Sequence, residues 1–168
     1  MDYAITLDQI VSKATLSIKE IPHMELDLKP APHKWSKKEI MGHLIDSAYN
    51  NHQRFLRAEK QDNLIFDGYD QEHWVERNQY QTRDGTEILT TWIMANRHVG
   101  FLIKGLPLGI LDKKTSEHNF DQICMNKLPQ GEKGSLAYLV WDYLYHMEHH
   151  IKQIVPSYDR EVTNFKPY

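Results

Sequence analysis

Four long segments of this chain combine a helical spacing of apolar residues with recognisable start or stop signals, and together they limit the possible folds. They cover residues 6–20, 36–59, 84–106 and 135–155. Pro22 ends the first and Pro156 the last, because proline has no N–H and its ring clashes with the preceding helical turn. No segment shows the sustained alternation of a half-buried strand. The sequence therefore predicts an all-α protein, a four-helix bundle.

The starts of two of these helices can be recognised from their capping residues. Ser36 and Glu39 match the S-x-x-E pattern of a capping box, in which the two residues satisfy each other's free backbone N–H groups. Asp84 precedes the third helix, with Glu87 three residues later, and an aspartate there accepts hydrogen bonds from the first turn. We therefore expect the second and third helices to begin at these positions.

The segments between the long helices are less regular. Residues 61–81 are polar and aromatic, and a short helix over 71–80 is expected to cross the bundle. The proline-containing connector before the second helix predicts a loop. Residues 108–134 have mixed polarity and predict irregular turns or a short hairpin. A chain of this length can bury one core, so we assign residues 1–168 to a single domain.

Composition and charge exclude several classes of protein. The chain has 168 residues and a net charge of −3, which disfavours a broad basic surface for nucleic acid. It has no run of about 18 apolar residues and no basic, apolar leader, so we expect neither a membrane segment nor a signal peptide. Its single cysteine excludes a disulfide framework and fits a reducing cytoplasm. Cys124 has no obvious base beside it, and we expect an incidental thiol.

Two histidines in the last helix are four residues apart, a spacing that places their rings on one helical face. A projection at 100° per residue puts His150 inside the edge of the apolar stripe and His146 at its margin. His149 falls further out, towards solvent. A buried imidazole needs partners for its nitrogens, and one metal ion satisfies both rings at once. The alternative is a pair of core histidines bonded to other side chains or to water.

A third histidine, His43, lies at the edge of the apolar stripe of the second helix, in a row of polar residues. The same side of the helix carries Ser47, Asn50 and Arg54, at i+4, i+7 and i+11. His43 is the candidate third ligand, and Asn50 and Arg54 are candidate contacts for a polar or anionic cosubstrate. Asp46, at i+3, is a candidate acceptor for a ring N–H of His43, although an exposed carboxylate is equally common at such a position.

Other metal motifs do not fit. A zincin H-E-x-x-H motif needs glutamate at position 147, where this chain has Met147. Ferritin-like di-iron sites need several glutamates and paired E-x-x-H turns, which the sequence lacks, as it lacks a glycine-rich phosphate loop. The metal hypothesis is therefore a three-histidine site.

The order of these motifs resembles that of the DinB/YfiT-like superfamily of metal-dependent enzymes, over nearly the whole chain. The resemblance rests on Trp35-Ser36, GHLIDS at 42–47, YDQEHW at 69–74 and HMEHHIKQI at 146–154. It implies a four-helix bundle, commonly a homodimer, with His43, His146 and His150 as ligands of one divalent metal. Members are similar to thiol S-transferases that use bacillithiol or mycothiol, to a maleylpyruvate isomerase and to proteins described as hydrolases.

Two hypotheses for an enzyme follow, and one for another class of protein. In the first, a zinc or nickel ion activates a low-molecular-weight thiol that attacks a small electrophile. In the second, the metal activates water to hydrolyse an amide or ester. No carboxylate stands out as the general base that hydrolysis needs, which favours thiol transfer. In the third, the bundle is a non-catalytic metal-binding or stress-related module.

Overall fold

The computed structural model describes residues 1–162, and in this range the predicted four-helix bundle is confirmed. Four long helices are joined by four short helices, a 3₁₀ turn and two short strands. In chain order the elements are α1 Tyr3–Lys19, α2 His23–Asp27, α3 Lys37–Ala58, α4 Gln71–Arg77, the 3₁₀ turn Tyr80–Thr82, α5 Gly85–Gly105, α6 Leu108–Leu111, β1 Lys114–Thr115, α7 Phe120–Ile123, β2 Gly134–Ser135 and α8 Leu136–Ile154. The bundle consists of α1, α3, α5 and α8.

Contacts among the long helices place α3 beside α8. Helix α3 packs against α5 and α8, and α1 packs against the same two helices. Each long helix turns an apolar stripe inwards, as expected for an amphipathic helix in a bundle. The largest fully buried side chains include Phe55 of α3, Trp92 of α5, and Tyr138 and Trp141 of α8. The packing of α3 on α8 brings the polar row of α3 next to the histidine pair of α8.

The predicted caps of the second and third long helices are confirmed. Ser36 Oγ accepts from the Glu39 N–H at 3.1 Å, and Glu39 Oε2 accepts from the Ser36 N–H at 2.8 Å. Asp84 Oδ1 accepts from the N–H groups of Thr86 and Glu87. These bonds satisfy N–H groups that the first turn of a helix leaves free, which explains why α3 and α5 begin where the sequence predicts.

The connecting segments differ in detail from the expectations. Helix α1 begins three residues earlier than predicted, because Asp2 caps it. The connector before α3 contains α2, which buries Leu26. Within residues 108–134, α7 separates the two strands, and β1 pairs with β2 in antiparallel fashion instead of forming a simple hairpin. Helices of four or five residues are marginal on their own, so tertiary packing determines where these short elements form.

Tyr80 attaches the cross-over segment, residues 59–84 between α3 and α5, to α3. Its ring lies so close to Gly42 that a Cβ at this position would clash with the ring carbons. The Tyr80 hydroxyl donates to Asp46 Oδ1 at 2.7 Å, and the Asn78 amide donates to the same oxygen at 2.8 Å. Because Gly42 has no side chain, the Tyr80 ring can lie directly against α3. The contact holds the cross-over segment against the residue that precedes His43.

The chain after α8 folds back onto that helix and is held by Glu148, whose side chain is fully buried. Its Oε1 accepts from the Tyr158 hydroxyl at 2.9 Å and from the Glu161 N–H at 2.6 Å. Its Oε2 accepts from the Val162 N–H at 2.7 Å. Three donors thus compensate the burial of one carboxylate and tie the end of the described chain to the helix that carries the histidine pair.

The buried apolar side chains of residues 1–162 form one cluster. The assignment of residues 1–168 to one domain stays a prediction, because residues 163–168 lie outside the described range. In the part of the chain that the structure describes, no helix has both the length and the apolar character needed to cross a membrane.

Replacing Gly42 by alanine is expected to lower the free energy of unfolding by about 1–3 kcal/mol, since the added methyl group overpacks against the Tyr80 ring. The matched control is Gly100→Ala, inside α5, where an added Cβ meets Leu7 Cδ2 at an ordinary 3.7 Å. The control should stabilise the protein by about 0.5–1 kcal/mol, because alanine is the better helix former. Chemical denaturation measures both changes, and equal stabilities of the two variants would contradict the close packing at Gly42.

Candidate metal centre

His43 of α3 and His146 and His150 of α8 form one cluster. Their candidate ligand nitrogens all lie within 4.8 Å of one another. The ring centroids are 5.2 Å apart for His43 and His146, 4.8 Å for His43 and His150, and 4.6 Å for the pair on α8. His43 is buried and the other two rings are half-buried. The structure thus brings together the three residues that the sequence singled out.

The geometry of the cluster suits a divalent metal ion. Imidazole nitrogens bind zinc at about 2.0–2.1 Å, so two neighbouring ones on one octahedral or tetrahedral ion lie roughly 2.8–3.4 Å apart. The Nε2 atoms of His43 and His146 match this separation at 3.2 Å. The candidate ligand nitrogen of His150 lies within 4.8 Å of those of the other two histidines. Three imidazoles are also a donor set that divalent transition metals favour, and they leave a coordination position for another molecule.

Burial keeps the three imidazoles neutral. It lowers the pKa of His43 from 6.5 to about 3 and the pKa of His150 to about 4. It lowers the pKa of His146 well below 6.5 as well, and the neighbouring rings add to the effect, because a second positive charge so close is unfavourable. The neutral ring is the form that binds a metal, so protons compete weakly for these nitrogens at neutral pH.

Gln153 orients His150 through a hydrogen bond that the sequence analysis missed. Its Oε1 lies 2.9 Å from His150 Nδ1, and a proton on Nδ1 donated to this oxygen leaves Nε2 free as a ligand. The Gln153 amide nitrogen lies 3.1 Å from Nε2 of His149, which is half-buried and outside the three-ring cluster. The i+3 position of Gln153 relative to His150 is the signal that could have indicated this contact.

Asp46 does not bind the His43 ring, contrary to the expectation from its i+3 position. Its Oδ1 accepts from Asn78 and Tyr80. Within residues 1–162, His43 Nδ1 and Asp46 Oδ2 are both buried without a hydrogen-bond partner. Burial raises the pKa of Asp46 to about 6, against the two hydrogen bonds that lower it. Through Oδ1 the carboxylate therefore links α3 to the cross-over segment.

A cavity of about 430 Å³ adjoins the histidine cluster. It lies among α3, α8, the start of the cross-over segment and the stretch around α7. Besides the three histidines, its polar lining consists of Ser47, Asn51, Arg54, Tyr69, Gln71, Gln122, Cys124, Asp142 and Tyr143. Its volume suits a small organic molecule, and convergent polar groups in such a cavity are typical of binding sites.

Of the two predicted substrate contacts on α3, Arg54 lines the cavity and Asn50 does not. Asn50 faces Arg54 instead: with its amide oxygen turned towards the guanidinium, this oxygen lies 3.3 Å from Nη1 and 3.2 Å from Nη2. The neighbouring Asn51 reaches the cavity, and its amide donates to the Ser47 carbonyl at 2.9 Å. Asn51 therefore takes the position that the sequence analysis gave to Asn50.

Within residues 1–162, one carboxylate lines the cavity, and it is engaged by the protein itself. Asp142 Oδ1 accepts from the backbone and side-chain N–H groups of Asn126, and its Oδ2 accepts from the Met125 N–H. Cys124 is buried beside it, and burial raises the pKa of its thiol. A thiol in such an environment stays protonated and inert, in agreement with the expectation of an incidental cysteine.

The fold and the cluster define a class of protein, a helical bundle with a three-histidine centre open to a cavity. A family model described as the DinB superfamily matches residues 7–154 of this chain. The match includes most of α1, the other three long helices and all three histidines. The chain belongs to the DinB superfamily.

Known relatives are similar to this chain over most of its length. A protein of Bacillus mycoides (strain KBAB4) is 21% identical over 154 residues, which are 92% of this chain and 82% of the relative. A protein of Bacillus cereus (strain ATCC 10987) is 24% identical over 148 residues, which are 88% of this chain and 79% of the relative. Both are named "Putative metal-dependent hydrolase".

A solved structure supports the same fold. YfiT from Bacillus subtilis matches this chain with a TM-score of 0.72 at 19% identity, over 92% of this chain and 82% of YfiT. YfiT is described as "a probable metal-dependent hydrolase with an unusual four-helix bundle topology". At this identity the match confirms the architecture of the bundle.

The neutral histidines should make the stability of the metal-free protein depend on pH. Their folded-state pKa values lie below 6.5, so the unfolded chain binds protons first and the free energy of unfolding falls as the pH drops from about 6.5 towards about 4. Each histidine contributes up to about 1.4 kcal/mol per pH unit. His150→Gln should reduce the slope by about this amount, and His33→Gln, at an exposed loop position, should not. Urea denaturation across this pH range measures the slopes, and equal slopes would contradict a neutral His150.

Proposed function

We propose that His43, His146 and His150 bind one divalent metal ion, zinc or nickel, and that the protein is a metal-dependent enzyme acting on small molecules. The observation that carries this proposal is the convergence of three neutral imidazoles, two with Nε2 atoms 3.2 Å apart, at the wall of a cavity. Burying polar rings is costly, and a metal ion shared by one nitrogen of each ring offsets part of that cost.

For the reaction, we propose that a thiolate sulfur forms a bond to a carbon of a small electrophile while chloride leaves that carbon, the thiol proton passing to solvent, or while the C–O bond of an epoxide opens, the proton ending on the alkoxide oxygen. A divalent metal supplies a Lewis acid that lowers the pKa of a water molecule or thiol beside it. Hydrolysis also needs a general base in most sites, and the carboxylate that lines the cavity, Asp142, already accepts hydrogen bonds at both oxygens. A thiol needs no base once it is a thiolate, which is the nucleophilic form. We therefore propose a low-molecular-weight thiol as cosubstrate.

Hydrolysis of an amide or ester is the second candidate, and two observations favour it. Relatives of this chain are named metal-dependent hydrolases. In addition, burial raises the pKa of Asp142, and a raised pKa makes a carboxylate a better proton acceptor near neutral pH. For this reaction Asp142 would exchange one of its present donors for the attacking water. A homodimer and a cytoplasmic location stay predictions under either candidate.

The metal proposal predicts one divalent ion per chain after gentle purification. His150→Ala should weaken metal affinity by about 100-fold or more, because the loss of a ligand exceeds the 10–100-fold effect of losing an outer partner of a ligand. His149→Ala is the matched control and should still bind one ion per chain. Elemental analysis and metal titration measure both quantities. Less than one ion in the wild-type protein, or full occupancy in His150→Ala, would show that this ligand set is wrong.

The two reactions can be separated by assays on the metal-loaded protein. Thiol transfer predicts consumption of bacillithiol with a chlorinated or epoxide electrophile, measured by loss of free thiol, and little turnover of a panel of amides and esters. His43→Ala should reduce this turnover at least 100-fold. If esters turn over without thiol, hydrolysis replaces thiol transfer as the function. If a fully loaded protein shows neither activity, both proposed reactions are contradicted and the non-catalytic metal-binding module becomes the favoured hypothesis.

A further inference from the structure

Arg54 is a buried cation without a carboxylate partner. Its side chain is 7% exposed, and no Asp or Glu oxygen within residues 1–162 lies within 4 Å of it. The carboxylates of Asp67 and Asp142 favour its charged form from a greater distance, while burial lowers its pKa. Arginine stays protonated in proteins, and a buried charge is stabilised by a direct partner. Among residues 1–162, therefore, no carboxylate neutralises this guanidinium by direct contact.

The hydrogen bonds of Arg54 position the guanidinium but do not occupy all of its N–H groups. Nη2 donates to the Asp67 carbonyl oxygen at 2.8 Å, and the Asn50 amide oxygen can accept from Nη1 and Nη2. These acceptors are neutral. A guanidinium has five N–H groups, so the Nε–H and one Nη1–H have no acceptor among the described residues. The protein therefore positions Arg54 and leaves two of its N–H groups able to donate to a ligand.

The remaining surface of Arg54 belongs to the cavity that contains the histidines. Arg54 is the only lysine or arginine among the described residues that line it. His43 lies at the same wall, 11 residues earlier on α3, and helix geometry separates the two Cα atoms by about 16 Å. The arginine side chain extends back towards the start of the helix, which shortens that separation. The cavity thus has a metal-binding group and an anion-binding group on one wall, some distance apart.

We propose that Arg54 binds a carboxylate of the small molecule that occupies this cavity, so that the ligand has a carboxylate at one end and its reacting group at the histidines. This inference rests on the proposed function, because it takes the cavity to be the active site. A carboxylate matches the single positive charge of the guanidinium and accepts a charge-assisted hydrogen bond from one of its free N–H groups. Among low-molecular-weight thiols, the proposal selects those that carry a carboxylate several bonds from the sulfur.

The test compares a thiol acid with its amide, using the metal-loaded protein and calorimetric binding. The probes are glutathione and its diamide, in which both carboxylates are replaced by carboxamides of nearly the same shape. The wild-type protein should bind glutathione about tenfold or more tightly than the diamide, as expected for a charge-assisted hydrogen bond. Arg54→Gln should bind the two probes with similar affinity. Arg54→Lys should retain part of the preference, because it keeps the charge.

The matched control is Arg97→Gln, which removes the same charge at an exposed position on α5 and should retain the full preference. Equal binding of the two probes by the wild-type protein would overturn the proposal. An unchanged preference for the acid in Arg54→Gln would also overturn it. Metal content is measured on the same samples. A protein that holds one metal ion but does not prefer the acid disproves only the role of Arg54, whereas a protein that binds no metal disproves the proposed function.

Discussion

The contact between His43 and His146 across α3 and α8 determines the character of the site. It requires the two helices to pack closely enough to bring two imidazole nitrogens to 3.2 Å, and this packing removes the rings from water. Because a charged imidazole is unfavourable there, the rings stay neutral and become available as ligands. The Tyr80 ring packs closely on Gly42, the residue before His43, and this contact holds the cross-over segment against α3. The packing of α3 on α8 therefore determines that these histidines are neutral and able to bind a metal ion.

The long elements could be predicted because their signals are local. The capping box at Ser36 and the cap at Asp84 each satisfy N–H groups within a few residues, so the helix starts follow from the sequence alone. The short elements could not be predicted in this way. Helix α2 buries Leu26 in the core, and α7 lies between two strands that pair across 18 intervening residues. Such elements depend on contacts between distant parts of the chain.

The same distinction applies to the site. The three histidines could be found from spacing and helical projection, because those quantities depend on one helix at a time. The partner of Asp46 could not, because Tyr80 lies 34 residues further along the chain and no periodic pattern connects them. Asn50 and Asn51 are both near the polar side of α3. Asn51 lines the cavity and Asn50 faces Arg54, a difference that a projection of α3 alone does not predict because the cavity is also bounded by other segments of the chain.

Glu148 lies on α8 between His146 and His150, and its bonds to Tyr158, Glu161 and Val162 give the end of the described chain a role in the rigidity of the site. Local opening of a protein proceeds in cooperative units. The turn of α8 that carries the two candidate ligands and the returning segment share one buried carboxylate. Release of the segment would leave this carboxylate without its donors in the turn that holds the imidazoles. The donors that compensate this charge, in the same turn of α8 as the two histidines, thus come from a segment outside the histidine cluster.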